Sequence, residues 1–289
     1  MSLPVHVSIV AHKVDLNIGD LTRVAAGISQ QVHRDFGPIW NSHASVDAFA
    51  RLEDVPLDSW PVIIVPVVKD AAGVHEDRHG QPFALVQIEE DWSLTASHET
   101  LEMLADPFGR RLRAGSTLAQ AVTLGAPKGR VRYLLEICDP SEAAEFSYHA
   151  HGVLVSDFYT PSFFDPVKTS GKRYSFTGAI DSPLKVLNGG YISWHDLASG
   201  HWMQFRNFPD DIANQPHVVD LSNNRVFEQF RATTSLRAAV DRVTKVPKLT
   251  STLKGTVLRG LKARQDTGRK AQGARAEAWH EMISALTSP

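Results

Sequence analysis

The residues able to do chemistry are concentrated in one stretch, Ser97-His98-Glu99-Thr-Leu-Glu102-Met-Leu-Ala-Asp106-Pro107. On a helix, residues four apart sit one above the other, so His98 and Glu102 project from one face. Leu94, Leu101 and Ala105 flank that face and set an imidazole and a carboxylate against apolar surroundings. From Phe83 to Gly109 there are six acids (Glu89, Glu90, Asp91, Glu99, Glu102, Asp106) and no Lys or Arg. A buried carboxylate without a partner is strongly destabilising, so either a cation faces this cluster or the acids take up protons. A divalent ion meets that need and explains the spacing. The pattern is a variant of the His-Glu-x-x-His helix, in which two ligands one turn apart bind zinc and the Glu between them is the general base. Here Glu102 is the second ligand and Glu99 the base.

Catalytic zinc sites take three protein ligands, so a further one is needed. Glu136, in Tyr133-Leu-Leu-Glu136-Ile-Cys-Asp139-Pro140, is the first candidate. The analogy is with thermolysin-like zincins, whose third ligand is a Glu on a later element. Asp139 is placed to orient His98 from behind, and Asp106 competes as third ligand. Tyr148-His149-Ala-His151, Tyr191 and His195 are candidates to hydrogen-bond a developing oxyanion, with His149 and Tyr191 taken as catalytic. Cys138, the single cysteine, cannot form an internal disulfide and reads as a small buried residue.

The elements that must hold these groups follow from hydropathy. Val5 to Val14 predicts a strand. Asp20 is a candidate N-cap for a helix whose buried face is Leu21, Val24, Ala25, Ile28 and Val32, stopped by Gly37-Pro38. Ala44–Arg51 and Trp60–Val68 read as strands, Lys69–Gln81 as a polar loop with His75 and His79, Phe83–Ile88 as a strand and Trp92–Ala105 as a helix. The order is β-α-β-β-β-α. Beyond it, 110–130 reads as a loop with a short helix, 132–138 as a short strand or helical turn, and 153–158, 174–176 and 190–194 as short extended pieces. Helical spacing returns over 226–243, and Pro247 interrupts it.

The 289 residues are 43% apolar and 21% charged, ordinary globular values that exclude wholesale disorder. The longest apolar run, Trp60 to Val68, contains Pro61 and Pro66 and is far too short to span a membrane. The first residues lack a basic region followed by an apolar core, which implies a cytoplasmic protein. Net charge is −2, but from Arg242 onward ten Lys/Arg face three acids, a segment of +7 on a body of −9. The expected division is a metal-binding domain over 1–225 and a basic helical C-terminal extension over 226–289. The stretch 242–275 is the part able to meet an anionic partner.

At these motifs the chain resembles an uncharacterised bacterial zincin-like family. That family shares a Ser-His-Glu-x-x-Glu-x-x-x-Asp-Pro helix (Ser97 to Pro107), a later Glu-x-Cys-Asp (Glu136 to Asp139) and a Gly-Val-Leu-Val-Ser-Asp-Phe segment (Gly152 to Phe158). The resemblance covers roughly residues 5–205, and a more distant likeness is to plant exordium-type proteins. It implies an α+β, zincin-like fold with a mixed sheet and an active-site helix carrying His-Glu-x-x-Glu. It also implies a metal at His98, Glu102 and either Glu136 or Asp139. The expected function is a zinc-dependent hydrolase, most simply a metallopeptidase acting on a peptide or protein substrate, with Zn2+ or another divalent ion as cofactor. The alternative is a non-catalytic binding module whose metal site is structural or vestigial.

Overall fold

The computed structural model describes residues 5–68, 71–208 and 215–244. Val5–Ala11 (β1) is buried from Val7 to Val10, as a strand covered on both faces should be. The helix after it, α1 (Ile18–Gln30), begins before Asp20. Asn17 is its cap, with Oδ1 accepting from the Asp20 N–H at 2.9 Å, while Asp20 sits in the first turn where its charge meets the helix dipole. Nor does Gly37-Pro38 stop the helical run. The chain passes through a wider turn, Gln31–Phe36, into α2 (Gly37–Trp40), whose opening residues have no need of the N–H that Pro38 lacks. Asn41, left-handed at φ 50°, ends it.

Four more strands complete the first sheet: β2 (Ala44–Phe49), β3 (Trp60–Val65), β4 (Gly73–Arg78) and β5 (Gln81–Gln87). Their order is β2-β1-β3-β5-β4, parallel except for β4, which runs antiparallel to β5. The segment expected as a polar loop is therefore largely an edge strand. Its ladder, from Gly73 opposite Val86 to Arg78 opposite Gln81, is held by backbone groups and tolerates charged side chains at the edge. Helix α3 (Trp92–Ala105) has the expected bounds and packs on β3, β4 and β5. Twelve of its fourteen residues are buried, so it is a core helix rather than a surface one.

The second half forms β6 (Leu112–Ser116), α4 (Ala119–Thr123), β7 (Arg130–Leu134), a hairpin of β8 (Tyr148–Ala150) and β9 (Val153–Val155), then β10 (Tyr191–Asp196), β11 (Trp202–Arg206) and β12 (His217–Asp220). The second sheet is antiparallel, in the order β12-β11-β10-β7-β6. One hydrophobic core takes Ile9, Ile64 and Val86 from the first sheet, Leu101 and Met103 from α3, and Tyr133, Trp194 and Phe205 from the second. A smaller cluster of Leu134, Trp202, Phe227, Ala239 and Val240 seats α5 (Arg225–Arg231) and α6 (Leu236–Asp241) against the second sheet. The architecture is α+β with a mixed sheet. Among the described residues no helix is long and apolar enough to cross a membrane. Pro247 and the rest of the basic tail from residue 245 lie outside the described residues.

Candidate metal centre

Helix α3 delivers His98 and Glu102 to one face, as the four-residue spacing requires, with Nε2 and Oε2 3.5 Å apart. Glu102 is fully buried, and its Oε1 accepts the Cys138 N–H at 3.0 Å, tying the helix to the turn after β7. That turn carries Asp139, whose Oδ1 lies 3.1 Å from His98 Nε2. One imidazole nitrogen thus faces two carboxylate oxygens. Ligands 2.0–2.2 Å from a tetrahedral ion stand about 3.3–3.6 Å from one another, close to these separations. Glu142, three residues on, completes a group with His98 and Asp139 whose donor atoms all lie within 4.8 Å of one another. The His98 side chain is 12% exposed, Glu142 is half-buried, and Glu102 and Asp139 are closed off.

A second group lies on the other side of Glu102. His75, from β4, reaches under the sheet edge toward α3, its Nδ1 3.4 Å from Glu99 Oε2 and 3.9 Å from Glu102 Oε2. Room for Glu99 exists because residue 73 is glycine: a Cβ there would stand 2.6 Å from Glu99 Oε1 and 2.6 Å from Thr95 Cγ2.

The cation that the acid cluster demands comes in part from a residue that composition assigns to the basic extension. Arg237, on α6 and 3% exposed, sends Nη2 to Glu102 Oε2 (3.0 Å), Nη1 to Glu136 Oε1 (2.8 Å) and Asp139 Oδ2 (2.7 Å), and Nε to Asp241 Oδ1 (3.0 Å). Its backbone N–H donates to Gly109 O at 3.0 Å, so α6 docks on the turn that leaves α3. Gly109 is needed there twice over: its φ is +58°, and a Cβ would meet the Arg237 Cβ at 2.6 Å.

Arg237 does not balance the charge. Among the described residues, six carboxylates (Glu99, Glu102, Glu136, Asp139, Glu142, Asp241) meet one guanidinium and two imidazoles, an excess of three negative charges even with both histidines protonated. Without a metal the site answers by holding protons. Burial pushes Glu136 well above the ordinary carboxylate range against the pull of Arg237, with Asp139 and Glu102 adding to the rise. Burial does the same to Glu142, with Asp139 adding to it, and lifts Asp241 to about 7 against the pull of Arg237. Burial opposes charge on His98, yet Glu102 and Asp139 hold its pKa well above that of a free imidazole. Glu102 goes the other way: burial is outweighed by Arg237 and His98, which keep it ionised. A donor set of imidazoles and carboxylates with surplus negative charge fits a divalent ion, hard or borderline, in place of those protons.

Of the residues singled out in the sequence, His98 meets both Glu102 and Asp139, although the donor group about it is completed by Glu142. Glu136 turns to Arg237 instead and belongs to neither donor group. Asp106 is drawn away by the backbone: its Oδ2 accepts the Arg111 N–H at 2.6 Å. Glu99 faces His75. Tyr191 is 3% exposed near Arg237, Asp139 and Glu136, and burial, reinforced by the acids, keeps its phenol protonated. His149 lies on the hairpin opposite Leu154 and is in neither donor group. Cys138 is a buried, free thiol pushed well above its ordinary pKa by burial. Sequence reasoning missed His75, Glu142 and Arg237. The Glu three residues after Asp139 was the one available signal; nothing local marks the other two. No family model, curated protein or solved structure matches this chain.

Proposed function

We propose that the chain is a metal-dependent hydrolase, most simply of the peptidase type, with a divalent ion held by His98, Glu102 and Asp139. The observation that carries this reading is the position of His98 Nε2, 3.1 and 3.5 Å from two carboxylate oxygens, on a side chain that still reaches solvent. Held by these residues, a divalent ion would supply Lewis acidity toward a carbonyl and a water molecule.

The protein's own groups then divide the work. Glu102 is fixed by the Cys138 N–H and Arg237, and Asp139 by Arg237, so both donors are oriented before anything binds. We assign proton transfer to Glu142 rather than Glu99. Glu142 is half-buried beside His98 and Asp139, and its Oε1 has no hydrogen-bond partner among the described residues, whereas Glu99 is 3% exposed and committed to His75. A carboxylate next to the reacting water takes its proton and returns it to the leaving group. Tyr191 keeps its proton and serves as a hydrogen-bond donor.

The test is elemental analysis of the purified full chain near neutral pH, with a mixed peptide library as substrate. Glu142→Gln is expected to keep the metal and lose turnover, and His98→Ala to lose turnover together with the ion it holds. Absence of any stoichiometric divalent ion overturns the proposal. Stoichiometric metal with no cleavage leaves the same cleft as a recognition site, the binding-module reading.

A further inference from the structure

We propose a second cation site, formed by His75, Glu99 and Glu102, with Glu102 shared between it and the ion at His98; the inference rests on the metal-binding reading above. Three observations carry it. The first is the placing of His75. Its Nε2 lies 3.2 Å from the backbone carbonyl of Asp106, a group that only accepts and so takes an N–H from the ring. An outer hydrogen bond to a carbonyl is how metal-ligating histidines are held. Nδ1 is turned toward the buried Glu99 and Glu102.

The second is distance. A charge-assisted N–H···O bond closes to about 2.7–2.9 Å. His75 Nδ1 instead stands 3.4 and 3.9 Å from its two carboxylate oxygens, and all three donors lie within 4.8 Å of one another. The 3.4 Å gap matches the spacing of ligands around an ion, and the 3.9 Å gap is wider than that spacing by a few tenths of an ångström.

The third is charge. Among the described residues six carboxylates surround one guanidinium, that of Arg237, so the cluster offers more acid groups than one divalent ion neutralises. Glu102 Oε2 is the meeting point, 3.5 Å from His98 Nε2 and 3.9 Å from His75 Nδ1. A carboxylate between two ions is the arrangement of two-metal hydrolytic centres, whose ions sit about 3.5–4 Å apart. The two positions differ in access: His98 is 12% exposed, His75 2%. The inner ion therefore serves to hold Glu102 and the outer ion, away from substrate.

The experiment counts metal in the full chain. The protein is stripped with chelator, reloaded with Zn2+ or Co2+, freed of excess by gel filtration and analysed at pH 7.5. The expected result is two ions per chain, falling to one in His75→Ala and in His75→Gln, with the two Co2+ ions magnetically coupled in the unaltered chain. One ion per chain, unchanged by either His75 variant, overturns the second site and leaves the proposed function standing. Two ions that persist in both variants also overturn it, because the inner ion then lies elsewhere. No bound ion overturns both. Should the His75 variants fail to fold, the count and the magnetic coupling in the unaltered chain decide the question.

Discussion

Replacing Arg237 with Ala strips the metal-free centre of its guanidinium and leaves Glu102, Glu136 and Asp139 buried without it. The cost follows from what a stranded carboxylate does next, which is to take a proton from solvent. For a group with an unfolded-state pKa near 4.5, protonation at pH 7.5 costs about 4 kcal/mol per carboxylate, and at pH 5 less than about 1 kcal/mol. The first figure lies inside the roughly 3–5 kcal/mol typical of breaking a buried ion pair. Glu136 already holds a proton and Glu102 is the acid that Arg237 keeps ionised, so Arg237→Ala is expected to lose about 4 kcal/mol at pH 7.5, for that one carboxylate, and only about 1 kcal/mol at pH 5. Urea unfolding followed by tryptophan fluorescence, in chelator throughout, reads both values. Arg113→Ala, at an exposed position on β6, is the control and should change stability by no more than about 0.5 kcal/mol. An equal loss at the two pH values, or a loss no larger than the control's, would refute the argument that this guanidinium neutralises the acid cluster.

Other outcomes follow from the same geometry. Asp241, lifted from 3.8 to about 7, holds a proton in the folded chain that the unfolded chain has released, so its contribution to stability falls as pH rises across that window. Glu136, Glu142 and the two histidines, all raised, act with the same sign, while the lowered Glu102 loses its contribution only as acid titrates it. Metal-free protein should therefore melt at lower temperature at pH 8 than at pH 5, and added Zn2+ should raise the melting temperature more at pH 8. Gly73→Ala drives a Cβ into Glu99 and Thr95 and should destabilise by about 1–3 kcal/mol in urea unfolding, with a lower metal count. Cys138, buried and held as the thiol, should resist alkylation in the native state and react once urea unfolds the chain, as mass spectrometry will show.

What could be read from the sequence was whatever depends on near neighbours. The bounds of α3 and the meeting of His98 with Glu102 follow from helical spacing, β1 and β3 from runs of β-branched residues, and β5 from a short apolar run. His75 was hidden because Val74-His75-Glu76-Asp77-Arg78 carries no apolar alternation; its strand is defined by backbone pairing to β5, which hydropathy does not register. Asp20 was mistaken for the cap because Asn17 competes for the same role three residues earlier. Arg237 was beyond reach for a different reason: it meets Asp139 across 98 residues of chain, and a local reading sees only helical spacing over 226–243. The inference that a cation must face the acids nevertheless stood on sound electrostatics. It named a divalent ion as that charge, and a guanidinium supplies part of it.

That long reach has a consequence during synthesis. Ribosomes add roughly 5–20 residues per second, so the 98 residues separating Asp139 from Arg237 correspond to about 5–20 s in which the carboxylates have emerged and their guanidinium has not. Through that interval the nascent chain must keep α3 and the turn at 136–142 hydrated or supplied with ions from the surroundings. The first sheet can assemble early; the final closure of the acidic interior waits for one arginine near the end of the described chain.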